Sequence, residues 1–342
     1  MATATLRALS RLEPKPHITC LIRRPLHALI DSCPWVDRVV TLRPGRGAGR
    51  RGAGPNRRSS MFPLASRLRA GRFDTAVLLT NSFRSALLVC MARIPRRVGY
   101  DRDGRGFLLT DRLLPRREAG RYVPVPTRDY YLATASYLGA TSTDPAMCLF
   151  TSREEDVNAN LLLERAGLRT TQPLVVMTPG ANFGDAKLWG PDRFAAVADL
   201  CVRRHGAAVA VAGAPRERPI LDAVVAAAHE PVIDLLSLGV DLAQLKSVIR
   251  RSHVVVTNDT GPRHIAAAFG VPVVSIFGPT DPAWTEIDFE HERKVMVSVF
   301  CGPCQKKRCP LDHRCMTQIG PEMVFEKVDE LLRVVREEKV SS

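Results

Sequence analysis

Short apolar runs, each followed by a segment of helical period, recur from residue 17 to residue 277, and this alternation restricts the chain to parallel sheets wrapped by helices. A first series places β-type runs at 17–23, 36–41 and 74–80, with helical patterns at 26–31, 61–69 and 82–94. A helix over 127–138 closes it, and 139–156 reads as a linker into a helix at 157–166. The rhythm then restarts. Strands at 174–178, 207–213, 231–234, 253–258 and 271–277 alternate with helices at 191–203, 217–228, 241–250 and 262–269, before a last helix at 321–337. With 342 residues, 45% of them hydrophobic, there is material for two cores of ordinary size. The expectation is an α/β chain of two doubly wound, Rossmann-like domains, 1–150 and 151–342, facing each other across a cleft. Such sheets bind ligands at the carboxyl ends of their strands.

Several function classes drop out early. No stretch approaches the roughly 20 apolar residues of a membrane span, and the opening MATATLRALSRLEPKPH lacks the apolar centre of a secretory signal, which predicts a cytoplasmic protein. Nine cysteines over this length predict thiols or metal ligands rather than disulfides. Residues 1–150 hold 26 Lys plus Arg against 10 Asp plus Glu, a net of +16, whereas the remainder holds 23 against 25. A basic half fits an anionic partner, and arginine-rich composition bias explains it equally well. The tract RPGRGAGRRGAGPNRR at 43–58 reads as a solvated loop; lacking aromatic platforms that would stack on bases, it gives no ground for a nucleic-acid partner.

The stretch TNDTGPRHIAAAFG at 257–270 carries the strongest chemical signal. A strand ending at Asn258 puts Asp259, Thr260 and Gly261 at a strand's carboxyl end and a helix's amino end together. Pro262 suits the first helical position, where its missing N–H costs nothing. Gly261 admits a close ligand, Thr260 offers a hydroxyl beside free amides, and Gly270 stops the helix after about two turns, so a phosphate belongs here. Helix capping alone would account for one polar residue, not for Asp259, Thr260, Gly261 and His264 together. A second loop, TPGANFGDAKLWG at 178–190, lies at the same edge of the same sheet, with Lys187 as a point charge for phosphate and Trp189 as a buried anchor.

These segments, together with CGPCQKKRCPLDHRCM at 301–316, resemble the ADP-heptose:lipopolysaccharide heptosyltransferases, glycosyltransferase family 9, nearer the heptosyltransferase II type. CPWVDRVV at 33–40, IPRRVGYDRDGRGFLLTDRLLP at 94–115 and RDYYLATASYLG at 128–139 extend the resemblance over most of the chain. It implies a GT-B fold and an inverting transfer of heptose from ADP-heptose to the lipopolysaccharide inner core. The acceptor would sit on the N-terminal domain and the nucleotide sugar on the C-terminal one, with peripheral association at the inner membrane and no cofactor. By position, the resemblance gives donor-binding roles to Asn182, Lys187, Glu217, Asp259, Thr260, Gly261 and His264, and has Lys187 stabilise the leaving phosphate. For Glu217 a helix-start carboxylate favoured by the macrodipole is an equal reading. Arg263 would add charge near the diphosphate.

In that family the base that deprotonates the acceptor is an aspartate in a Gly-Asp loop preceding a helix of the type MATPALRAL. Here the chain opens with MATATLRAL, which looks like that helix, so the expectation is an N-terminal domain without its first strand, a base unknown within this chain, and impaired catalysis as written. A start codon placed too late is the favoured explanation, because losing a central strand exposes apolar edges. Cys301, Cys304, Cys309, His313 and Cys315 offer five soft ligands whose spacing departs from ordinary zinc sites, and buried thiols packing a loop compete with zinc. Two other functions fit the architecture: a nucleotide-sugar epimerase and a nucleotide-sugar-binding protein without turnover. No G-x-G-x-x-G follows an early strand, which argues against a dinucleotide-dependent reductase.

Overall fold

The computed structural model describes residues 1–42, 61–141, 144–169, 171–181 and 183–341. The Arg/Gly tract of 43–58 and Asn182 therefore lie outside the described residues. Residues 1–27 and 34–145 form one compact unit, and residues 28–33 and 146–342 form another. Among the described residues no helix is long and apolar enough to cross a membrane.

The first unit runs α1 (Thr3–Leu9), β1 (Thr19–Arg23), β2 (Arg38–Leu42), α2 (Met61–Ala70), β3 (Thr75–Leu78), α3 (Phe83–Met91), β4 (Arg96–Tyr100), β5 (Asp111–Leu113), β6 (Arg117–Glu118), β7 (Arg121–Tyr122) and α4 (Thr127–Tyr137). β1 pairs with β2 and β3–β4–β5 form a second sheet, all parallel, while β6 and β7 make an antiparallel hairpin. Ala65 and Leu68 of α2 and Ala86, Leu88 and Val89 of α3 pack over Leu78. Where a helix was expected at 26–31 there is a 3-10 turn, Arg24–Leu29. Its last two residues belong to the second unit, where the Lys246 ammonium donates to the Ala28 carbonyl at 2.9 Å and Leu29 packs on the core. β3 stops at Leu78 rather than at residue 80 because the Arg105 guanidinium takes the Thr80 carbonyl and turns the chain away from the ladder.

The second unit contains α5 (Arg153–Arg165), β8 (Leu174–Thr178), α6 (Pro191–His205), β9 (Ala208–Val211), α7 (Arg218–Ala227), β10 (Val232–Asp234), α8 (Leu242–Arg251), β11 (Val254–Asn258), α9 (Gly261–Ala268), β12 (Val273–Ile276), β13 (Glu292–Val295), α10 (Arg314–Thr317) and α11 (Pro321–Ser341). α5 begins four residues earlier than the sequence pattern indicated. Ser152 and Glu155 form a reciprocal capping box there, with Glu155 N–H donating to Ser152 Oγ at 3.1 Å and Ser152 N–H to Glu155 Oε2 at 2.7 Å. Six parallel strands in the order β10-β9-β8-β11-β12-β13 form the sheet. Because strand side chains alternate faces and both faces are covered, the central strands β8 and β11 are buried along their whole length. Val175 and Met177 of β8, with Val254 and Val256 of β11, meet Phe194, Leu221 and Leu331 on one face. Leu174, Val176 and Val255 meet Leu163, Ile249 and Ile265 on the other. Each such side chain contributes roughly 1.5–3 kcal/mol by leaving water, so this unit holds its strand ends firmly.

Candidate functional site

β8 and β11 are neighbours, yet the chain winds away from them in opposite directions, so a crevice opens between the loops at their carboxyl ends. Buried polar groups stitch these loops together. The Thr178 hydroxyl donates to Thr257 Oγ1 at 2.6 Å, and Asn258 Nδ2 donates to the carbonyls of Pro179 at 2.8 Å and Gly180 at 3.2 Å. Asn258 is fully buried, and its Oδ1 has no partner among the described residues.

Lys187 ends the 3-10 turn Asp185–Lys187 and is 8% exposed; Asp259, 5% exposed, lies against it. The ammonium donates to Asp259 Oδ2 at 2.5 Å and to the Asp259 carbonyl at 2.8 Å. Thr280 Oγ1 donates to the same carboxylate at 3.0 Å, and an Arg263 nitrogen stands 3.6 Å from its other oxygen. Burial pushes the Asp259 carboxyl up, but the Lys187 charge and hydrogen bond, with Arg263 and Thr280, outweigh it and hold the pKa below the ordinary carboxylate value. Asp259 is therefore an ionised anchor for Lys187 and a poor proton acceptor.

Arg263 does not supply charge to the crevice as expected. Its guanidinium is wholly buried and grips Glu292 of β13 through two bonds of 2.5 and 2.9 Å, with a third to the Thr285 carbonyl at 2.7 Å. Ser275 donates to the same carboxylate at 2.6 Å. Arg263 thus rivets α9 to the far side of the sheet.

α9 begins where the phosphate argument placed it. Thr260 is the N-cap residue but makes no side-chain cap bond; its hydroxyl turns back toward Thr257 Oγ1 at 3.1 Å and the Asn258 carbonyl at 3.2 Å. In an α-helix the amides up to the third helical residue have no carbonyl within the helix, which leaves those of Gly261 and Arg263 for an outside acceptor. A Cβ on Gly261 would meet no atom within 4 Å, and its φ is ordinary, so neither the backbone nor the surrounding protein requires glycine there. Gly270, at φ +70, terminates the helix as its sequence position implied. Burial, reinforced by the Arg263 charge, pushes the His264 imidazole down to about 3, so it is neutral at physiological pH, and its Nδ1 has no hydrogen-bond partner among the described residues.

Glu217 sits over the neighbouring strand ends. Its Oε2 accepts the Ala214 amide at 2.8 Å, and its carboxylate covers Gly180 so tightly that a Cβ there would stand 2.4 Å from Glu217 Cδ. Gly180 carries no charge or functional group, and only that contact reveals its part.

The cysteine segment buttresses the Lys187 turn. Ala186 N–H donates to the Lys307 carbonyl at 3.1 Å, His313 Nε2 lies 2.6 Å from the Ala186 carbonyl, and Gln305 N–H donates to Pro279 O at 2.7 Å. With its Nε2 on a backbone carbonyl, His313 serves the loop. All nine cysteines are free thiols, and no three His, Cys, Asp or Glu side chains among the described residues converge as a metal site. Burial pushes the Cys315 thiol up, and the neighbouring Cys304, Cys309 and Cys301 add to that shift.

A family model described as glycosyltransferase family 9 (heptosyltransferase) matches residues 61–314, well over half the chain. Lipooligosaccharide heptosyltransferase 2 of Haemophilus influenzae is 28% identical over 327 residues, covering 89% of this chain and 87% of that protein. Lipopolysaccharide heptosyltransferase 2 of Escherichia coli is 27% identical, covering 97% of this chain and 94% of its own length. The solved structure of E. coli ADP-heptose lipopolysaccharide heptosyltransferase II has a TM-score of 0.78 at 24% identity and covers 98% of this chain and 95% of that one. At that identity the likeness speaks for the fold, two Rossmann-like units of the GT-B type.

Proposed function

The chain belongs to glycosyltransferase family 9, the heptosyltransferases, and from that premise we propose that it transfers heptose from ADP-heptose to the lipopolysaccharide inner core. The observation that carries this reading is the paired loop structure at the β8–β11 switch point, where a buried cation and free helix amides converge on open space over Gly261.

The donor diphosphate would lie across the start of α9, its oxygens on the amides of Gly261 and Arg263 at the positive end of the helix dipole. An ammonium has three N–H donors, and Asp259 takes two of those of Lys187, so one remains for a phosphate oxygen. Held at a fixed position away from bulk water, that cation stabilises charge as it develops on the departing ADP. Glu217, at the ends of β8 and β9, would accept from the ribose hydroxyls, and the neutral His264 would act as a hydrogen-bonding group rather than a charge. The first unit would take the anionic acceptor, at the cytoplasmic face of the inner membrane. No residue gathered at the switch point suits deprotonation of the acceptor hydroxyl, since Asp259 is committed to Lys187.

The test is incubation of ADP-heptose with inner-core acceptor lacking its second heptose, followed by mass spectrometry of the glycolipid. A heptose-sized mass increase is expected. Tight binding of ADP by calorimetry without any mass increase would favour a binding protein, and release of an isomerised nucleotide sugar would favour an epimerase.

A further inference from the structure

A series of contacts crosses three neighbouring strand ends of the six-stranded sheet. Asn258, the last residue of β11, is fully buried, and its Nδ2 donates to the carbonyls of Pro179 at 2.8 Å and Gly180 at 3.2 Å, just past the end of β8. Where a side chain would project, Gly180 instead meets Glu217: a Cβ there would stand 2.4 Å from both Cδ and Oε1 of that carboxylate. Glu217 follows β9 and has little room to move. Its Oε2 accepts the Ala214 amide at 2.8 Å and would stand 3.2 Å from a Cβ on Gly213, and its side chain is 14% exposed. The order of contact is thus Asn258, Gly180, Glu217, along the strand order β11, β8, β9.

The bonds of Asn258 are not needed to join the strands. The parallel ladder between β8 and β11 runs from Val175 and Val254 to Thr178 and Thr257 and sets their register by itself. Asn258 acts beyond its last pair, on loop backbone. On its other side Asn258 leads directly into Asp259 and Thr260, the N-cap of α9, and its own carbonyl accepts the hydroxyls of Thr257 at 2.8 Å and Thr260 at 3.2 Å. One side chain therefore ties the start of α9 to the loop on which Glu217 rests. In a close-packed interior a shift of Gly180 passes to the carboxylate against it, and a binding group displaced by more than about 0.5 Å loses its geometry. Serine has one hydroxyl donor where the asparagine amide has two, so it cannot hold both carbonyls.

We propose that Asn258 is a positioning residue for the donor nucleotide: through Gly180 it sets the Glu217 carboxylate at the distance from the start of α9 that lets one ligand place its ribose and its diphosphate together. This rests on the proposed function, in which Glu217 accepts from the ribose and the α9 amides hold the diphosphate. Asn258 touches neither part. Its effect is on the match between the two, and it shows only with a ligand that spans both.

The experiment is calorimetry of the full chain with ADP and with inorganic pyrophosphate, which carries the diphosphate without the ribose. The unaltered chain should bind both, ADP the more tightly. Asn258→Ser should lower ADP affinity about tenfold and leave pyrophosphate affinity within about twofold. In a Glu217→Ala background the same substitution should change ADP affinity by less than about twofold, because the group it positions is gone. Gly180→Ala pushes on Glu217 while leaving Asn258 in place, and should reproduce the loss confined to ADP; it carries the test if circular dichroism shows Asn258→Ser unfolded. Equal losses of ADP and pyrophosphate, or a loss that adds in full to that of Glu217→Ala, would make Asn258 a structural fastening and overturn the proposal while leaving the function reading intact. A Gly180→Ala variant that binds ADP like the unaltered chain would do the same. Absence of ADP binding in the unaltered chain would overturn the function reading and this proposal together.

Discussion

The carboxyl edge of the sheet in the second unit is closed by buried charge, whereas the corresponding edge in the first unit is open and lined with phenylalanine and arginine. In the second unit Lys187, Asp259, Arg263 and Glu292 are all less than a tenth exposed, and every one has a partner at hydrogen-bonding distance. In the first, β3–β4–β5 is short and its edge carries Phe107 and Leu114 in water. Two sheets built by one rhythm thus present different chemistry: a buried, pre-arranged cation with free amides, and exposed apolar side chains among arginines. The difference follows from burial, since a phosphate site needs fixed dipoles in a dry setting, whereas charge left in water is screened.

Breaking the closed edge should have the largest effect. Lys187→Ala strands the buried Asp259 carboxylate, and the remaining Arg263 contact at 3.6 Å compensates it only in part. Loss of about 3 kcal/mol of stability is expected from breaking such a pair, together with at least a tenfold loss of ADP affinity from one lost charge-assisted bond. Urea melts and calorimetry read the two separately. An unchanged affinity in a folded variant would dissociate Lys187 from the donor.

Two glycines sharpen the comparison within the closed edge. Gly180→Ala must displace Glu217 and should cost about 1–3 kcal/mol through overpacking. Gly261→Ala meets nothing, so its stability should stay within about 0.5 kcal/mol. Its ADP affinity should nevertheless fall, because the methyl group enters the space assigned to phosphate. A Gly261→Ala variant that binds ADP as before would remove that assignment.

Acid titration tests the half-buried His264. Its folded pKa is pushed down to about 3, below the ordinary value of 6.5. Between those values the unfolded chain binds a proton that the folded chain does not, so stability should hold above about pH 6.5 and decline as pH falls toward 3. Asp259, also depressed, adds to the loss below its ordinary value of 3.8. Replacing His264 with Gln should flatten the upper part of the decline, read from thermal melts across pH.

The smallest effect is expected in the first unit. Tyr130 donates to Asn81 Oδ1 at 3.1 Å and stacks on Tyr100 with ring centroids 3.6 Å apart. Tyr130→Phe keeps the stack and loses one hydrogen bond, about 1 kcal/mol, with ADP affinity unchanged.

Much of the second unit was legible because its signals are local. Continuous apolar runs such as LVVMT and VVVTN, Pro262 at a helix start and Gly270 at its end each state their role within a few residues. The capping box at Ser152 is equally local, yet it lies inside 139–156, whose polar composition reads as a linker. β5 (DRL) and β13 (ERKV) were illegible: short, mostly charged segments become strands only because β4 and β12 present edges to pair with. Asn258 and Gly180 are ordinary residues in the sequence, and their roles arise from neighbours 78 and 37 positions away.

The sequence by itself determined the alternating α/β architecture, the place where one strand hands over to a phosphate-ready helix, and the family resemblance carried by the loop motifs. Only the tertiary structure decided which charges remain available. Lys187 and Arg263 are both cations near one crevice in the sequence, but packing gives Arg263 to Glu292 and leaves Lys187 with a donor to spare. Ion pairing in a buried site depends on distances of a few ångströms between residues far apart in the chain, and no local pattern encodes them.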